Sequence, residues 1–103
     1  MKVIWHPMAE MAMLNVADYI HSQFGFKRKK AFMQEVRQMT QLLKRSPYIG
    51  QIDPLFNDRT KTYRSVVVNG LNKLVYYIED ETIYIAAFWD TRTEPKEQAS
   101  KVK

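Results

Sequence analysis

The apolar positions of this chain follow a helical period through most of its first half and a strand period in its second. Ala9, Met13, Val16 and Ile20 recur at steps of four, three and four, the stripe of an amphipathic helix. Phe32, Val36, Met39 and Leu43 repeat the same steps. The spacing predicts one helix from Pro7 to about Phe24 and a second from about Lys27 to Arg45. Proline suits a first helical turn, where its missing N–H costs nothing. Gly25 is placed to cap the first helix, and Ser46-Pro47 stops the second. So short a connection makes the two helices an antiparallel pair. Ahead of them, "KVIW" (Lys2 to Trp5) reads as a short strand.

Residues 47–61 hold Pro47, Gly50, Pro54, Asn57 and Asp58 and read as a loop. Three strands are predicted beyond it, near Tyr63 to Val68, Asn72 to Glu79 and Thr82 to Trp89. Asn69-Gly70 between the first two is a strong hairpin signal, and Asp80-Glu81 turns the chain again. The predicted order is β-α-α-β-β-β. This is an α+β fold with a helical hairpin on one face of a small antiparallel sheet. One domain is expected over residues 1–95, with a polar tail over 96–103.

If both turns hold two residues, strand alternation sorts the side chains into two faces. Tyr63, Ser65, Val67, Leu74, Tyr76, Ile78, Ile83, Ile85, Ala87 and Trp89 are expected under the helices. Arg64, Val66, Val68, Lys73, Val75, Tyr77, Tyr84, Ala86 and Phe88 are expected opposite. The second set lacks Glu, Asp, Ser and Gln. Either the tail or a second copy covers it, or it binds an anion beside stacking surfaces.

Composition narrows the classes. A chain of 103 residues is one domain, and 46% hydrophobic with 26% charged residues fits a soluble globular protein. The net charge of +5 favours acidic partners. No cysteine is present, which excludes disulfides and thiolate chemistry. The start has no signal-peptide pattern, and no run approaches the ~18–20 apolar residues of a membrane helix. A cytoplasmic protein without membrane contact is expected. His6 and Glu10 lie one helical turn apart but lack a third ligand, so no metal is expected. Three glycines form no phosphate loop, and no cofactor is expected. "KRKK" (Lys27 to Lys30) opens the second helix. A charge run there is usually a solvated face, yet cations oppose the helix dipole at that end, which hints at another reason for the run.

The helical hairpin with Trp5, Ala9, Val16, Tyr19-Ile20 and Gly25 resembles the RelE/ParE superfamily of bacterial type II toxins. So do "LLKRSPYIG", "YRSVVV", "KLVYYI" and "IYIAAFWDTR". The resemblance covers about residues 1–95. It implies a small toxin neutralised by a cognate antitoxin, with operator DNA bound only through the antitoxin complex. It also implies one of two targets: RelE-like toxins cleave mRNA on the ribosome, and ParE-like toxins poison DNA gyrase. Carried over residue by residue, a RelE-like catalytic set becomes Arg64, Lys73 and Arg92. Val66 stands at the next basic position, Lys73 replaces an arginine, and Arg92 fits only with a one-residue shift from Thr93. "EPKEQASKVK" holds no counterpart of the C-terminal catalytic Tyr or His. Both histidines, His6 and His21, lie far from these residues in sequence. "FWDTRTEP" looks closer to ParE-like tails. The resemblance therefore implies a ParE-like binding surface of Arg64, Lys73, Tyr77, Tyr84, Phe88, Asp90 and Arg92. The alternatives are a RelE-like mRNA endonuclease and a non-toxic nucleic-acid-binding module on the same fold.

Overall fold

Two helices pack on one face of a five-stranded sheet in the computed structural model, which describes residues 1–56 and 60–91. The elements are β1 (Lys2–Trp5), α1 (Pro7–Phe24), α2 (Phe26–Arg45), β2 (Gln51–Ile52), a 3-10 turn (Pro54–Phe56), β3 (Arg64–Val68), β4 (Asn72–Glu79) and β5 (Thr82–Asp90). The α+β order is the expected one. Residues 93–95 of the expected domain, the tail 96–103 and Arg92 lie outside the described residues.

Both helices form where the apolar stripe and the stop signals place them. Ala9, Met13 and Ala17 bury one stripe of α1, and Phe32, Val36 and Leu43 one stripe of α2. Gly25 joins them at φ 91°, a left-handed backbone that favours glycine. Its N–H donates to His21 O (2.9 Å), and its carbonyl accepts from Lys29 N (3.2 Å). One residue thus ends α1 and begins α2.

The sheet order is β1-β5-β4-β3-β2. It is mixed rather than antiparallel, because β1 runs parallel to β5, with Val3 opposite Ile83 and Trp5 opposite Ile85. The helical hairpin is the crossover that returns the chain to the sheet. The expected loop over 47–61 holds the two-residue strand β2, with Gln51 opposite Ser65 and Ile52 opposite Arg64.

Two single-residue irregularities correct the expected faces. Asn69 and Gly70 both take positive φ, but the ladder resumes at Val68 opposite Asn72. Leu71 has no partner on β3, its carbonyl accepting instead from Thr91 N–H (2.8 Å), and β4 slips by one against β3. A one-residue slip moves every side chain of a strand to the other face. Val66 and Val68 therefore join the helix-facing core, and Val67 is 55% exposed on the far side. Asp80-Glu81 is a two-residue turn as expected, with Glu79 opposite Thr82 and Tyr77 opposite Tyr84. Further on, a bulge between Val75 and Tyr76 leaves Ala86 extra, so that Val75 meets Ala87 and Tyr76 meets Ile85. Beyond it Phe88 enters the helix-facing core, while Ala87 and Trp89 face away. Phe88 packs between Trp5 (6.2 Å between centroids) and Phe32 (6.1 Å).

The far face is covered by the chain itself. Leu55, Phe56 and Tyr63 pack on Val75, Tyr77 and Trp89 and form a second small core. Tyr63, expected under the helices, belongs here.

This register makes a direct prediction. Phe88→Ala is expected to cost about 3–5 kcal/mol by urea unfolding. Val67→Ser should stay within about 0.5 kcal/mol. A reversed ranking would contradict the bulge.

Candidate functional site

Arg64 and Lys73 were expected on one face, and the register places them on opposite faces. Arg64 pairs with Tyr76 across β3 and β4, whereas Lys73 pairs with Val67 and Trp89. Arg64 Nη1 donates to Gly50 O (2.8 Å) and Tyr48 O (3.4 Å), and its guanidinium lies over the Tyr48 ring at 5.1 Å. Tyr76 reinforces the same loop: its hydroxyl donates to Pro47 O (2.8 Å) and accepts from Gly50 N–H (3.0 Å). Gly50 has no room for a side chain, since a Cβ would stand 2.7 Å from Tyr76 Oη and 2.9 Å from Ser65 O. Arg64 is thus committed in part to fastening residues 47–50. Its remaining surface lines a shallow cleft of about 270 Å³ with Tyr48, Lys61, Thr62 and Ile78.

Lys73 is neutralised. Its Nζ lies 2.6 Å from Asp53 Oδ2, whose side chain is 0% exposed. That oxygen accepts no other hydrogen bond from the described residues. Asp53 Oδ1 accepts from Leu55 N–H (3.0 Å), and Asp53 N–H donates to Tyr63 O (2.9 Å). Asp53 therefore ties the covering segment to β4 through its carboxylate, and to Tyr63 through its backbone N–H. Trp89 lies 5.5 Å from the same ammonium. A lysine on a covered apolar face is stable when an opposite charge compensates its desolvation.

Tyr77 and Tyr84 stack at 5.2 Å between centroids on the far face. Lys61 Nζ stands 4.6 Å from the Tyr77 ring centroid and 3.6 Å from Glu79 Oε2. The parallel pairing of β1 with β5 brings His6 beside them: its Nε2 and the Tyr77 hydroxyl are hydrogen-bonded at 3.1 Å. His6 thus turns to a tyrosine 71 residues away. Asp53, Lys61 and His6 are the functional-group neighbours that sequence reasoning missed. Asp53 lies in the segment read as a loop, where nothing local tied it to Lys73, and His6 required knowledge of a parallel strand partner.

Phe88 is 3% exposed inside the helix-facing core and offers no surface. Asp90 lies at the end of β5 opposite Asn72. Both line a groove of about 720 Å³ between the helical hairpin and the end of the sheet. Its apolar wall is Val16, Tyr19, Ile20, Phe24, Phe32 and Leu71, and Arg28 and Glu35 bring charge to it. Arg28 stacks over Phe24 at 4.9 Å. Tyr19 and Phe24 are more than half exposed. Among the described residues, no group of three His, Asp or Glu side chains is placed to hold a metal, and no helix is long and apolar enough to cross a membrane.

Two predictions rest on these contacts. Asp53→Asn should cost about 1–3 kcal/mol by urea unfolding, since it strands the Lys73 charge. Adding Lys73→Met should restore part of that loss, and simple additivity of the two changes would disprove the coupling. Burial also pushes the phenols of Tyr76 and Tyr77 above the ordinary value of 10.0, with the Gly50 hydrogen bond and the Lys61 charge pulling the other way. A raised folded-state value favours the neutral phenol in the folded protein. The stability it contributes is present below pH 10 and is lost as pH rises through the folded-state value. Thermal scans should show a fall in Tm above that pH, made shallower by Tyr77→Phe.

The chain matches no protein-family profile and no curated protein sequence. Among solved structures it is similar to a chain of "Chromosomal ParDE TA system from P. aeruginosa", with a TM-score of 0.70 and 13% identity over 87% of this chain and 95% of that one. Likeness at that identity establishes a shared fold.

Proposed function

We propose that this protein is the toxin of a bacterial type II toxin–antitoxin module. In this reading it acts in the cytoplasm, is neutralised by a cognate antitoxin, and inhibits DNA gyrase by binding it. The observation that carries the reading is the fold likeness to a chain of a ParDE system over nearly the whole length of both chains. The gyrase branch draws support from the geometry of the two cations. Holding a phosphate through an in-line transfer calls for convergent positive groups. Arg64 and Lys73 diverge across the sheet, and Asp53 already neutralises Lys73. The antitoxin would lay apolar side chains in the 720 Å³ groove against Tyr19 and Phe24.

One observation favours the second reading, a ribosome-dependent mRNA endonuclease. His6 and Tyr77 form a hydrogen-bonded pair on the far face, and such a pair supplies the proton carrier that the C-terminal residues lack.

Regulated expression, followed in parallel by gyrase supercoiling and mRNA integrity, separates the two. Growth arrest with lost supercoiling and intact mRNA is expected. Cleaved mRNA with normal supercoiling overturns the gyrase reading, and normal growth overturns toxicity altogether. Tyr19→Ala with Phe24→Ala should weaken antitoxin binding by about tenfold or more in calorimetry, as loss of exposed aromatic anchors does.

A further inference from the structure

The basic charge of this protein is concentrated on one helix. α2 carries seven of the sixteen Lys and Arg residues and one of the eleven Asp and Glu residues. Its solvent side is ordered. Lys27, Lys30, Gln34, Gln38, Gln41 and Arg45 follow one another at steps of three and four, all exposed. This line lies directly opposite the buried stripe of Phe32, Val36 and Leu43. Arg37 and Lys44 flank it, also exposed. The one acid of the helix, Glu35, sits on the other flank, towards the groove. Lys29 pairs with Asp18 at 3.8 Å, and Arg28 lies over Phe24. The cations of the stripe have no ion pair among the described residues. A face stabilised for solvent alone would interleave carboxylates with its cations at helical spacing. This face interleaves glutamines, which neutralise nothing and donate hydrogen bonds.

We propose that the outward face of α2 docks on double-stranded DNA, with Lys27, Lys30, Arg37, Lys44 and Arg45 on phosphates and the glutamines as neutral donors between them. From Lys27 to Arg45 the stripe runs about 27 Å at the helical rise. The B-form major groove, about 12 Å wide, admits a helix, and phosphates line both of its rims. Two features select this occupant. Along α2 the one exposed aromatic is Phe26, at the first residue of the helix, whereas single-strand binders stack successive bases on a series of aromatic platforms. The A-form RNA major groove is too narrow for side chains to read. Cations at the helix start, which oppose the dipole, then have a partner of opposite sign. This inference goes beyond the toxin reading and does not rest on it, because a non-toxic protein could bind DNA by the same face.

The test is fluorescence anisotropy of the purified full chain with a duplex of mixed sequence, across a range of salt. The comparison is with a triple variant, Lys27→Gln, Lys30→Gln and Arg45→Gln. Gln is close to Lys and Arg in helix propensity, so the fold should survive, and circular dichroism checks it. The slope of log affinity against log salt should become shallower by about two to three, roughly 0.9 for each phosphate contact removed. Affinity should fall at least about tenfold at low salt. Lys27→Arg with Lys30→Arg keeps the charge and should bind like the parent, whether or not the triple variant folds. Lys2→Gln, on β1, should change the slope little. The proposal is overturned if the folded triple variant binds duplex DNA like the parent, or if the Arg variant loses binding. It is equally overturned if the parent binds no duplex, or prefers a hairpin RNA or phosphatidylserine vesicles to DNA. Growth arrest measured on the same variants tests the toxin reading separately.

Discussion

Leu71 is one residue more than a two-residue hairpin can hold, and Ala86 is one residue more than β4 can pair. Pleated strands have a side-chain period of two, so each extra residue reverses a face. The first sets β3 against β4 and turns Val66 and Val68 towards the helices. The second sets the end of β5 and turns Phe88 inward and Trp89 outward. The aromatic contact of Trp5, Phe88 and Phe32 and the position of Lys73 beside Trp89 both depend on these two insertions.

A sheet of this length in so small a domain would ordinarily leave one face in water. Here part of the far face is buried as well, under residues 53–56 and Tyr63, while Val67 stays exposed. The Asp53 carboxylate binds the Lys73 ammonium and accepts from Leu55 N–H, while the Asp53 backbone N–H donates to Tyr63 O. Lys73, expected on an anion-binding face, is thereby paired within the chain. Arg64 serves the loop at 47–50 in a comparable way.

Two of the surfaces left open on the described residues differ in kind. The groove between the hairpin and the sheet end is apolar with Arg28 and Glu35 at its sides. The outward face of α2 is cationic and amide-rich. The two lie on different sides of the same helix, so one element offers an apolar partner and a polyanion separate docking positions.

Much of the fold was legible in the chain. Helix spans, the glycine junction, the positive-φ turns and the α+β order all follow from local periodicity and turn chemistry, which act over a few residues. Tyr77 opposite Tyr84 was also legible, because a two-residue turn fixes a short ladder. The faces of β3 and the end of β5 were not, because a single unpaired residue leaves no compositional mark. Nor was the site: Lys73 meets Asp53 across a segment read as loop, and His6 meets Tyr77 through a parallel pairing that only the helical crossover creates. The sequence by itself determined which elements form and that the second helix carries the positive charge. Tertiary structure decided which side of the sheet each group faces, and hence that Arg64 and Lys73 do not meet. Register is the sum of long-range packing over both faces, and no short stretch of chain contains it.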